Sequence, residues 1–246
     1  MFDDFLPHLE ELRRRLLISL LSFCLLTLIC FFFSHALLDF LVFPLTRYQE
    51  ISLYFQKPYE AFSAHLKVSA LAGFLASSPI LITQAWLFLS PGLYPAEKRV
   101  LGLLALVTSG LFLSGALFAY YAVIPVSLRF LLSFQTSGLR PLLGMDEYFS
   151  FLTGMILIFG VLFNFPVVIF GLVRLGVVNP DALSRARRGV IVFLFVLAAV
   201  LTPSPDPVSQ ILLALPLVLL FEISLAISRR VFPGGRPRID KPGDCG

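Results

Sequence analysis

The stretch RRRLLISLLSFCLLTLICFFF, residues 13–33, decides how this chain folds. Three arginines give way to 18 residues without a formal charge, positions 16–33. At about 1.5 Å of rise per residue, a helix of that length nearly crosses a hydrocarbon core of about 30 Å. Inside hydrocarbon every backbone amide and carbonyl must find its partner within the chain, so the run reads as a membrane-spanning helix. It is too long for the apolar region of a cleavable signal peptide.

Outward from that run the pattern repeats. Uncharged stretches occupy 68–89, 100–128 and 148–173. The second of these carries Pro125 near its end, where a tilt or kink is expected. The last apolar region is interrupted by TPSPDP at 202–207, and its second limb, 208–227, contains Glu222. Two short spans or a re-entrant hairpin both fit. A re-entrant tip would place Asp206 in hydrocarbon at about 2.5–3.5 kcal/mol, which two short spans avoid. The expected fold is an all-α integral membrane protein with six transmembrane helices, the last two short. The spans fall at about 16–33, 68–89, 100–128, 148–173, 189–202 and 208–227, in one domain over 1–230. The tail 231–246 is expected to be disordered.

Composition agrees. Of 246 residues 58% are hydrophobic and 14% charged, with a mean hydropathy of +0.90. Soluble domains carry about 25% charged residues, so lipid is the solvent that this surface requires. With six spans, 14 of the 19 Lys and Arg fall on the side holding both termini and 5 on the other. The positive-inside rule then puts both termini in the cytoplasm.

Chemistry is sparse. Cys24, Cys30 and Cys245 form no paired motif, and His8, His35 and His65 lie at or outside the expected span ends. No catalytic or phosphate-binding motif occurs, and Glu222 is the lone acid within the apolar runs. An enzyme is disfavoured, and neither a metal nor another cofactor is expected. An ion-coupled carrier would show more intramembrane acids. A small-molecule secondary transporter nevertheless stays as an alternative reading, and a scaffold that only assembles other subunits is a third.

Several polar features remain. PHLEELRRRLL at 7–17 is helical by pattern, with Glu10/Arg14 and Glu11/Arg15 spaced to pair with each other. Its carboxylates could instead receive a basic peptide, because Arg–carboxylate contacts can be bidentate. WLFLSPGLYPAEKRV at 86–100 is a proline-rich turn offering Glu97 beside Phe88 and Tyr94. Asn164 falls near the middle of the fourth span, and Gln84, Gln210 and Glu222 invite the same reading as polar contacts between helices. The long segment 34–67 contains Pro44 and Pro58, with Lys57 and Lys67 near the membrane. Short helices are expected there, burying Tyr48, Tyr54, Phe55, Tyr59 and Phe62.

Taken in order, HLEELRRR, FPLTRY (43–48), SPILITQAWLFLSPGLYPAEKR (78–99), GALFAYYAVIP (115–125), FGVLFNFPVV (159–168) and LTPSPDPVSQILLALPLVLLFEI (201–223) resemble TatC, the receptor subunit of the twin-arginine protein translocase. The resemblance covers about 8–230. It implies a multi-pass protein of the cell inner membrane that binds Arg-Arg signal peptides of folded precursors. It also implies single-span partners of the TatA and TatB type, self-association in a larger complex, and the proton-motive force as energy source. It assigns recognition of the arginine pair to Glu11 and Glu97, expected close together, with His8, Leu12, Arg13 and Phe88 around them. Asn164, Gln210, Glu222, Asp206, Pro44 and Lys67 become partner contacts or structural polar positions. Two departures stand out: the family often has Glu or Gln where Asn164 stands, and the turn LTPSPDPVSQ is one residue longer than the common pattern.

Overall fold

A computed structural model of the chain describes residues 5–46, 53–89, 98–133, 143–174, 179–201 and 207–231. The described residues are almost entirely helical, and five helical runs are long and apolar enough to cross a membrane. A shorter sixth, α9 (Arg187–Leu201), completes the expected count. The chain packs as two compact units, Met1–Gly160 and Val161–Gly246.

In the first unit, α1 (Phe5–Phe32) joins the arginine-rich amino-terminal segment and the first span into one helix. It lies along α3 (Glu60–Leu89). Their approach is close at Gly73, where a Cβ would lie 2.6 Å from the Thr27 Cα. Glycine is required there by space rather than by backbone conformation. Most of α1 otherwise presents exposed apolar side chains, among them Leu16, Leu20, Leu21, Leu25 and Leu28, which suits lipid.

The segment 34–67 supplies α2 (Ser34–Thr46), a two-residue strand β1 (Leu53–Tyr54) and the start of α3. The second span therefore begins eight residues before position 68. Local bonds explain the early start: Gln56 N–H donates to the Glu60 carboxylate (2.8 Å), Glu60 N–H to the Lys57 carbonyl (3.1 Å), and Ser63 Oγ to the Glu60 carbonyl (3.0 Å). This also moves His65 and Lys67 inside the helix. The expected burial of aromatics is corrected. Tyr54, Phe55, Tyr59 and Phe62 are all more than half exposed. Aromatic rings at a membrane–water boundary are accommodated by lipid headgroups, so the protein has no need to cover them. Tyr48 lies outside the described residues.

The third span is α4 (Lys98–Phe118), a π-helical turn (Ala119–Val123) and α5 (Ile124–Ser133). The irregular turn falls just before Pro125, whose missing amide interrupts the α-helical pattern. The fourth span comprises α6 (Met145–Leu162) and α7 (Phe165–Arg174), separated by a turn at Phe163–Asn164. Pro166 cannot donate to the Leu162 carbonyl, and the helix restarts when Val167 and Val168 donate to the Asn164 carbonyl (3.0 and 3.2 Å). A two-residue strand β2 (Leu143–Gly144) pairs in parallel with β1, Leu53 opposite Leu143. The core of this unit is one face of α6, with Tyr148, Phe149, Leu152, Met155, Ile156 and Phe159 buried.

In the second unit, α8 (Pro180–Arg185) is capped by Asn179, whose side chain accepts from Asp181 N–H at 2.9 Å. Then come α9 and α10 (Pro207–Val231). α10 packs on both α7 and α9, and its Leu213, Leu217, Phe221 and Leu225 are buried. α9 has 15 residues, short for a span, whereas α10 runs 25 residues because the helix continues through Glu222.

Candidate functional site

The amino-terminal helix forms an open cleft of about 540 Å³ lined by Glu10, Glu11, Arg14, Arg15 and Ile18, with Gln84 reaching it from α3. The helical period places 11, 14, 15 and 18 on one face of α1. Glu11 is half-buried, and its Oε1 accepts from Arg15 Nε at 3.0 Å and also from the Arg15 Nη2. The expected Glu11/Arg15 pair thus forms. Both guanidinium donors converge on that one carboxylate oxygen. Leu12 and Arg13 are exposed beside it, and His8 lies one turn earlier in α1. Phe88 lies in the last turn of α3, one turn beyond Gln84. Glu97 lies outside the described residues, as does Asp206.

Gln84 is the residue that sequence reasoning did not assign to this cleft. The signal was available: Gln84 and Phe88 are four apart on α3 and so share a face. The partner face on α1 was not, because residues some 70 positions apart are brought together only by the packing of α1 on α3.

The remaining polar positions have structural partners. Pro44 is buried in α2 and leaves the Phe40 carbonyl without its helical amide. The Tyr120 hydroxyl donates to that carbonyl (2.5 Å), and Tyr148 Oη donates to the next, Leu41 (2.7 Å). Lys67 donates to Asp146 (2.6 Å) and Ser150 (2.9 Å). Glu222 is paired with Arg187 of α9, and Gln210 Nε2 donates to the Phe195 carbonyl (3.2 Å). Asn164 occupies the turn between α6 and α7, its N–H donating to the Val161 carbonyl (3.0 Å).

Residues 7–216 match the family model described as Sec-independent protein translocase protein (TatC). The chain is 39% identical over 226 residues to the protein of that name from Magnetococcus marinus, covering 91% of this chain and 83% of the relative. It is 38% identical over 225 residues to that from Aquifex aeolicus, covering 90% and 93%. Among solved structures it resembles a crystal structure of the twin arginine translocase receptor TatC in the detergent DDM, with a TM-score of 0.79 and 38% identity. That likeness covers 90% of this chain and 99% of the crystallised one.

Proposed function

The chain belongs to the TatC family, a non-enzymatic component of the Sec-independent protein translocase, and from that premise we propose that it is the receptor for Arg-Arg signal peptides, with Glu11 as a principal contact. The observation carrying this reading is that Glu11 already holds a guanidinium, that of Arg15, in an open cleft at the end of α1. A carboxylate arranged to take one guanidinium can exchange it for another. Glu97 joins as the second acid, with Phe88 and Gln84 on the α3 wall and Leu12 and Arg13 along the rim. Lysine is a poor substitute in the peptide, because an ammonium lacks the planar fork.

In the same reading both termini face the cytoplasm, since Lys and Arg are concentrated on their side of an inner membrane. Single-span partners of the TatA and TatB type join it in a multi-subunit complex, and the proton-motive force drives transport. Gln210 and Glu222 of the α9–α10 pair are the proposed polar contacts for such partners.

Binding of a fluorescent Arg-Arg signal peptide to the purified protein tests the receptor assignment. Glu11→Gln should weaken binding by about 1.5–3 kcal/mol, the usual worth of a hydrogen bond to a charged group. A Lys-Lys peptide should bind worse than Arg-Arg to the unmodified protein. Unchanged affinity in both comparisons would sink the assignment.

A further inference from the structure

We propose that the first unit holds a phospholipid in a cleft between α3 and α6, with a zwitterionic headgroup at Lys67 and Asp146 and an acyl chain beneath it. The cleft, about 490 Å³, is lined by Lys67, Ala70, Leu71 and Phe74 of α3, by Ser150, Thr153, Gly154 and Leu157 of α6, and by Phe23 of α1. Its two walls are single helix faces at matching spacings, and each runs from a polar end to an apolar one.

The polar end is a built arrangement. Lys67 Nζ bonds Asp146 Oδ1 at 2.6 Å and Ser150 Oγ at 2.9 Å, and Ser63 Oγ lies 3.4 Å from the same carboxylate oxygen. Lys67 and Asp146 are both partly exposed. A cation and an anion side by side complement a headgroup bearing both signs: phosphate toward Lys67 and Ser150, amine toward Asp146. An anionic headgroup would meet the carboxylate without compensation. Exposed Tyr59 and Phe62, within about two turns of Lys67, place this end at headgroup depth.

Below the rim the cleft is apolar, closed on one side by the edge-on pair Phe23–Phe74 at 6.1 Å. The protein leaves space there, since a Cβ on Gly154 would meet nothing within 4 Å.

The test is native mass spectrometry of the full chain, delipidated in mild detergent and titrated with phosphatidylethanolamine or phosphatidylglycerol. Phosphatidylethanolamine should be retained in preference. Gly154→Leu, which fills the slot, should reduce retention about tenfold, and Lys67→Gln, which removes the cation at the rim, about threefold. Gly110→Leu, at an equally open glycine of α4 away from the cleft, should leave retention unchanged and serves as the control. Matching thermal unfolding of the two leucine variants shows that the loss is local, and Lys67→Gln still decides the matter if Gly154→Leu fails to fold. Equal retention of both lipids by all variants overturns the proposal. So does a photo-crosslinker at Leu157 that captures a peptide or a single-span helix in place of lipid.

Discussion

The Tyr120 hydroxyl lies 2.5 Å from the Phe40 carbonyl, the one helical acceptor that Pro44 leaves without an amide. The two rings also stack, with centroids 4.7 Å apart. A proline inside a membrane helix is tolerated when a neighbour supplies the missing donor, and here the donor is a side chain from the third span. Tyr120→Phe keeps the stack and removes the donor, so it should destabilise the protein by about 1–3 kcal/mol. In a Pro44→Ala background the amide returns and the same change should cost less. A double-mutant cycle in detergent reads the difference, and equal costs in both backgrounds would refute the coupling.

Pro79 in α3 meets the same need from within its own helix. It strands the Leu75 carbonyl, and Ser78 Oγ donates to that oxygen at 2.7 Å. Ser77 makes a comparable bond to the Phe74 carbonyl (3.1 Å), which no proline deprives of its amide. Ser78→Ala should therefore cost about 1 kcal/mol more than Ser77→Ala, although both serines are buried. Thermal unfolding of the two variants checks the order.

Glycines separate into those filled around and those left open. Gly73→Ala drives a Cβ against the Thr27 backbone, which cannot yield without moving α1 off α3. A loss of about 1–3 kcal/mol is expected, read by thermal unfolding in detergent. Gly102→Ala meets nothing and should be neutral or slightly stabilising through helix propensity. Similar effects at both positions would mean that the α1–α3 contact is loose.

Arg15 competes with an incoming guanidinium for Glu11. Arg15→Gln should raise the affinity for an Arg-Arg peptide by about 2- to 5-fold, as suits a partly exposed pair worth roughly 0.4–1 kcal/mol. The gain should fade at high salt, where such pairs are screened. Weaker binding at low salt would instead make Arg15 part of the recognition surface.

The spans were legible because hydropathy is a local property: uncharged runs marked the first four, and the cost of placing Asp206 in hydrocarbon decided for two more. Glu11/Arg15 was legible too, being an i,i+4 pair on one helix. The start of α3 was not: Glu60 and Lys67 are charged, and the bonds to Gln56 and Asp146 that accommodate them join residues distant in type or in sequence. The partner of Glu222 was hidden for the same reason, since Arg187 stands 35 positions earlier in another helix. Gln84 looked like generic polar glue until α1 gave it neighbours. The aromatics of 54–62 misled because a ring's need to leave water is met as well by lipid as by protein.

The pairing of Arg187 with Glu222 bears on how the protein is made. At 15 residues and about 22 Å, α9 is a poor candidate to insert by itself, and it opens with two arginines. α10 brings a carboxylate within its apolar run. Each helix carries what the other neutralises, and Gln210 of α10 closes onto the Phe195 carbonyl of α9. Synthesis delivers α9 first, so it is expected to wait at the membrane surface until α10 emerges, and the two to enter as a hairpin. Ribosome-bound intermediates ending before residue 207 should then leave α9 accessible to a membrane-impermeant reagent, and those that include Glu222 should protect it. Topology of the α9–α10 pair is in that sense a cooperative event, completed when α10 leaves the ribosome.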